Sequence, residues 1–131
     1  NVVAELEVSA TVPDFDLWLQ LYDVAPDGTA WNLSSFGSAP VRASYRDGGP
    51  GRSVVAPGTR VVLRMSRMVT ANRFLPGHRI RVTLSGAFAP SFSRTLQTGA
   101  LEFDSTRTRA GTITVHHPAS RLILPVVPVA Q

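Results

Sequence analysis

Three histidines, nine acids and a scatter of serines are the residues of this 131-residue chain that could do chemistry. His78 stands in "FLPGHRIRVTLSG", between a Pro-Gly turn and two arginines, while His116 and His117 adjoin in "TITVHH". Neighbours on a strand point to opposite faces, so one zinc ion would reach both only if the strand ended between them. No His-x-His or His-Glu-x-x-His spacing occurs. The simpler reading gives one of the pair an inward hydrogen bond and leaves the other in water. Cysteine is absent, which removes thiol nucleophiles, disulfides and Cys-based metal sites together. No metal and no cofactor is expected.

Acyl transfer on an α/β scaffold needs a serine on a strained elbow, usually within Gly-x-Ser-x-Gly. That pentapeptide does not occur, and the chain is expected to hold no catalytic residue. A triad assembled from distant loops is recognised by geometry rather than order, and no spacing here advertises one. Asp14 and Asp16, two apart, would share a side of a strand, as a carboxylate pair or a calcium corner requires. Calcium takes six or more oxygens, and only Asp23 and Asp104 offer more. The competing reading has the two aspartates end a turn and bind arginine or backbone N–H groups. Trp18 and Trp31 are candidate stacking aromatics for a sugar, set against the packing roles that so large a side chain usually fills.

The elements that must position these residues show a period of two. In "VVAELEVS" (2–9), Val2, Ala4, Leu6 and Val8 alternate with Glu5 and Glu7. "FDLWLQLYDV" (15–24), "RVVLRMSRM" (60–68) and "RIRVTLS" (79–85) follow the same rule, the last with Ile80, Val82 and Leu84 on its apolar face. Alternation of this kind marks strands with one face buried. Turn signals separate them: "APDG", "RDGGPG", "APG", "LPGH" and "RAG". About ten short strands with no helical period predict an antiparallel β-sandwich. With 131 residues and no long linker, residues 1–131 are expected to form a single domain.

Composition narrows the partners. Hydrophobic content of 44% with 17% charge suits a packed domain. No stretch approaches the roughly 20 apolar residues that span a bilayer. The net charge is +4 and every basic residue is arginine, spread from Arg42 to Arg121 rather than clustered, so neither nucleic acid nor membrane is an expected partner. Absence of cysteine fits cytoplasmic and secreted locations alike. No Lys- or Arg-led apolar leader opens the chain, and a start at Asn1 suits a segment of a longer protein. The stretch "GAFAPSFSRTLQTG" (86–99) sets Phe88, Phe92 and Arg94 in a Gly/Pro/Ser-rich loop, the composition of a contact surface.

Several segments, taken in order, resemble one family. They are "DFDLWLQLYDVAPDGTAWNLS" (14–34), "PVRASYR" (40–46), "RFLPGHRIRVTLSGAFAPSFSR" (73–94), the "TG" at 98–99 and "HPASRLILPVVP" (117–128). Together they are similar to the C-terminal, non-catalytic domain of X-Pro dipeptidyl-peptidases and cocaine-esterase-like serine hydrolases. The resemblance implies a jelly-roll β-sandwich of the galactose-binding type. It also implies a preceding α/β-hydrolase domain in cis, which carries the Ser-His-Asp machinery and whose substrate cleft the jelly roll helps enclose. Homo-oligomer contacts are a further implied role.

By the same resemblance Asp16 is the acid opening the first long strand, and Asp23, Asp27 and Gly28 belong to a "DVxPDG" hairpin. Gly77, His78 and Arg79 belong to "PGHRI", and Arg121 to the closing "SRLxLP" strand. One segment departs: where the family often reads "FPRFDRNxNTG", this chain has "APSFSRTLQTG", with Thr95 and Gln97 in place of asparagines. Phe88, Phe92, Arg94, Thr95 and Gln97 are thus the candidate domain-interface or cleft loop. His78 is expected to be structural, bonding across its turn. The alternative to an accessory domain is an independent ligand-binding jelly roll using Trp18 or Trp31.

Overall fold

The computed structural model describes residues 1–34 and 40–128. Eight strands form among them: β1 (Val2–Ala10), β2 (Asp16–Val24), β3 (Ala30–Asn32), β4 (Val41–Arg42), β5 (Val61–Met68), β6 (Arg79–Ser85), β7 (Ile113–Val115) and β8 (Arg121–Ile123). Single 3-10 turns at Ala43–Tyr45 and His117–Ala119 are the helical elements of that set. Fewer strands form than turn spacing predicts, because 46–60 and 86–112 run as turns and irregular chain.

The two longest alternating runs become the centres of two antiparallel sheets. In the first, β5 lies along one flank of β1, pairing Leu6 with Leu63 and Val8 with Val61. β7 and β8 share the other flank, opposite Val8–Ala10 and Val3–Glu5. In the second, β6 runs along one flank of β2 from Trp18↔Ser85 to Val24↔Arg79, and β3 and β4 share the other. Val2, Ala4, Leu6 and Val8 face Leu17, Leu19 and Leu21, with Phe15, Leu63 and Met65, in one core. The fold is an all-β sandwich, as alternation requires of strands with one dry face.

The outer face of the first sheet matches its acids to arginines, alongside exposed Val62 and Ile123. Glu5 accepts from Arg64 Nη1 at 2.5 Å and from Arg121 Nε at 2.7 Å; Glu7 accepts from Arg60 Nη1 at 3.2 Å. The hydrogen bond from Arg121, with Arg64 beside it, holds the Glu5 carboxyl below its ordinary range despite some desolvation. Cross-strand pairs of this kind leave a face suited to water.

One seam of the sandwich is closed by two aspartates. Asp14 is buried, and its carboxylate accepts from Ser44 N at 3.0 Å, Ser44 Oγ at 2.8 Å and Arg52 Nη2 at 2.9 Å. Asp16 takes the Arg42 fork at 2.7 and 2.9 Å, and Arg42 also meets Glu102. That fork pushes the Arg42 guanidinium above its ordinary value. Held this way, the 42–55 segment packs Ala43 and Val55 into the core.

The opposite seam is different. Ile80 and Val82 share a face with Leu19 and Leu21, yet are 46% and 40% exposed. Alternation predicts that face to be dry; it is wet because β6 is an edge strand and, among the described residues, no strand pairs beyond it.

Removing the Asp14 carboxylate should leave Arg52 and the Ser44 hydroxyl and N–H without their acceptor. Asp14→Ala is expected to cost about 2–4 kcal/mol in a urea-unfolding measurement. A change within about 0.5 kcal/mol, the range of ordinary surface substitutions, would contradict the pinning role.

Candidate functional site

Two turns from distant parts of the chain meet at one end of the second sheet. The β2–β3 hairpin turns at Ala25–Gly28, with Ala25 N donating to Thr29 O at 2.9 Å and Thr29 N to Asp27 Oδ1 at 2.9 Å. That backbone bond holds the Asp27 carboxyl below its usual range. The turn before β6 closes with His78 N donating to Leu75 O at 3.0 Å. Gly28 and Gly77 take φ values of +92° and +81°, the left-handed region that favours glycine. At Gly77 a side chain would also meet Pro26 Cγ at 3.3 Å, so the two turns touch.

Asp23 joins them. His78 Nδ1 lies 2.8 Å from Asp23 Oδ1, and Asn72 Nδ2 donates to Asp23 Oδ2 at 3.1 Å. A carboxylate only accepts, so the shared proton sits on Nδ1. His78 and Asn72 belong to the crossing from β5 to β6, and a single buried carboxylate anchors both. Desolvation raises the Asp23 pKa, but the bonds from Asn72 and His78 outweigh it and hold the carboxyl below its ordinary range. Trp31, half-exposed on β3, lies parallel to the His78 ring with centroids 6.1 Å apart. Arg79 follows, exposed, on the outer face of the sheet.

At the other end of that outer face an aromatic cluster forms. Trp18 points away from the core, yet is only 4% exposed. The loop after β6 folds back over it: Phe88 stacks at 4.8 Å and Phe92 meets it edge-on at 4.4 Å between ring centroids. Trp18 therefore keeps no open face for a sugar ring, whereas Phe88 and Phe92 remain 39% and 48% exposed. Beside Phe92 a shallow recess is lined by Asp16, Pro40, Arg42, Tyr45 and Ser93. Arg94 is exposed. Thr95 and Gln97 are half-buried, and Thr95 Oγ1 accepts from Gln97 N at 3.3 Å. The loop thus has an aromatic, outward first half and a tucked second half.

Long-range folding also makes a serine–histidine contact that sequence spacing does not advertise. Ser9 Oγ and His116 Nε2 are 3.0 Å apart, 107 residues apart in the chain. Ser120 sits beside them, accepting from Glu7 N at 3.1 Å and donating to His116 O at 2.8 Å. Among the described residues no carboxylate hydrogen-bonds to His116, so nothing orients its ring as a general base requires. The contact continues the polar cross-strand pairs of the first sheet's outer face. Among the described residues, no three His, Cys, Asp or Glu side chains are arranged to hold a metal ion.

Two measurements follow from this geometry. Gln97 has φ +60°, a left-handed conformation that costs a side-chain residue about 1–2 kcal/mol and that glycine takes freely. Gln97→Gly should stabilise the chain by about 0.5–1 kcal/mol in urea unfolding, allowing for the added freedom of the unfolded state; a loss of stability would contradict this. Because the folded-state pKa of Asp23 is depressed, its contribution is present above the ordinary aspartate pKa and is lost as pH falls through that value to the lower folded-state one. The unfolding midpoint of the native chain should therefore fall more steeply than that of Asp23→Asn between about pH 5 and pH 3, and equal slopes would contradict the pairing.

Comparison with known proteins places these residues. The family model described as "X-Pro dipeptidyl-peptidase C-terminal non-catalytic domain" matches residues 1–122. A curated relative, the cocaine esterase of Rhodococcus sp. (strain MB1 Bresler), is 35% identical over 101 residues. That match covers 77% of this chain and 17% of the esterase, so the chain spans a small fraction of its relative's length. The aspartate-pinned turns and the aromatic loop lie within the family match, and the chain belongs to the family of X-Pro dipeptidyl-peptidase C-terminal non-catalytic domains.

Proposed function

We propose that residues 1–131 are a single accessory domain of a longer serine hydrolase, an acyl esterase or X-Pro dipeptidyl-peptidase. In this reading the domain packs on an α/β-hydrolase catalytic domain in cis and helps shape the substrate cleft. The jelly-roll, galactose-binding-like connectivity implied by the resemblance belongs to the same reading. It brings no catalytic group of its own.

The observation that carries the proposal is the half-covered aromatic loop. Phe88 and Phe92 bury Trp18 but leave large parts of their own rings in water, with exposed Tyr45 across the recess from Phe92. Exposed aromatics grouped on one face are the composition of an interface core. Arg94, exposed in the same loop, adds a cation that meets no carboxylate among the described residues. The first sheet's outer face, with its acids matched to arginines, suits water instead. These contrasts favour docking through the second sheet, with the esterase named above supporting ester hydrolysis as the parent's chemistry.

The test is Phe92→Ser, made both in this chain and in the full-length protein. The isolated variant should keep its circular dichroism spectrum. The full-length variant should lose about tenfold or more in kcat/KM on p-nitrophenyl acyl esters or X-Pro p-nitroanilides, through misplacement of the cleft. Unchanged hydrolysis would contradict packing through this loop. The binding-module alternative rests on Trp31, 50% exposed; quenching of its fluorescence by oligosaccharides would favour that reading.

A further inference from the structure

Among the described residues the sandwich is closed along one seam by the 42–55 segment and open along the other, between β6 and the β7/β8 edge. A groove runs there, floored by Ala4, Leu6 and Leu19 and walled by Val82 and Leu84 on one side and Leu122 on the other. β2 is paired on both flanks, whereas among the described residues β6 pairs only with β2. Its outer edge therefore presents a row of backbone N–H and C=O groups of the kind that another strand satisfies.

We propose that this seam is the slot for an extended strand from elsewhere in the same longer polypeptide, which adds to the second sheet beside β6. Its residues alternate between apolar ones, facing Ile80 and Val82, and acidic ones, facing Arg79 and Arg81. The alternation follows from β6 itself: Val82 and Leu84 line the groove, Ile80 lies further along the same inner face, and the arginines lie on the outer face. Among the described residues neither arginine has a carboxylate partner. A second copy of this chain fits less well, because antiparallel pairing of two β6 strands would gather both sets of arginines on one face. The source within the same polypeptide rests on the reading above, supported by a relative of which this segment matches only 17%.

The experiment is amide hydrogen exchange followed by mass spectrometry, on the 131-residue chain and on the full-length protein. Peptides covering 79–85 should exchange about tenfold or more slowly in the full-length protein, with β1 protected alike in both. Loop 86–99 reports separately on docking to the catalytic domain. Protection of that loop with no change at 79–85 would overturn the strand proposal while sparing the docking reading. Protection of 79–85 with no change in the loop would do the reverse. Concentration-dependent protection of 79–85 in the isolated chain would make the occupant a second copy and also overturn the proposal. In the full-length protein Val82→Glu should restore fast exchange at 79–85 with the loop still protected, and Val82→Ile should leave exchange slow. Slow exchange in Val82→Glu would overturn the proposal.

Discussion

Burial of a carboxylate is tolerated only where donors replace the water it loses, and three aspartates on β2 and its lead-in impose that condition here. Asp14 and Asp16, at one end, draw Ser44, Arg52 and Arg42 to themselves. Asp23, at the other end, draws Asn72 and His78. The irregular segments are thereby tied to the most deeply buried strand. Hydrophobic alternation brings the two sheets face to face without specifying how the connections cross their ends. The aspartates supply that specification, and a donor lost from any of them leaves a charge buried without its partner.

The same anchoring accounts for the unequal outer faces. On the first sheet Glu5, Glu7 and Ser9 each meet a cross-strand polar partner. On the second, the loop leaving β6 folds back until Phe88 and Phe92 cover Trp18, half of its aromatic surface remaining in water. Charge follows the same division, since the acids concentrate on β1 and on the ends of β2 and leave the arginines of β6 without partners. An accessory domain needs one side for solvent and one for its neighbour. The two sheets differ in how their charges are matched and how their aromatics are grouped, and the proposed docking rests on that difference.

Much of the architecture is legible in the sequence because a period of two survives in β1, β2, β5 and β6. The pinned turns are legible as turns from Pro-Gly and Asp-Gly, although their meeting at Asp23 is not, since Asn72 carries no local signal. Alternation also cannot distinguish a dry face from one awaiting cover. Ile80 and Val82 have the pattern of core residues and stand in water because, among the described residues, no strand pairs with the outer edge of β6. Trp18 is the converse: its position in the alternation points it outward, and a loop far along the chain buries it. Ser9 and His116 meet only through the pairing of β1 with β7, which no spacing encodes.

The central proposal is that this chain contributes structure rather than chemistry to a hydrolase. The most direct measurement compares hydrolysis of a p-nitrophenyl acyl ester by the full-length protein, by the protein lacking this segment, by the segment alone, and by the two parts mixed. The account predicts a silent segment, an impaired remainder, and activity regained on mixing. Turnover by the segment alone, or full activity in the remainder without it, would contradict the account.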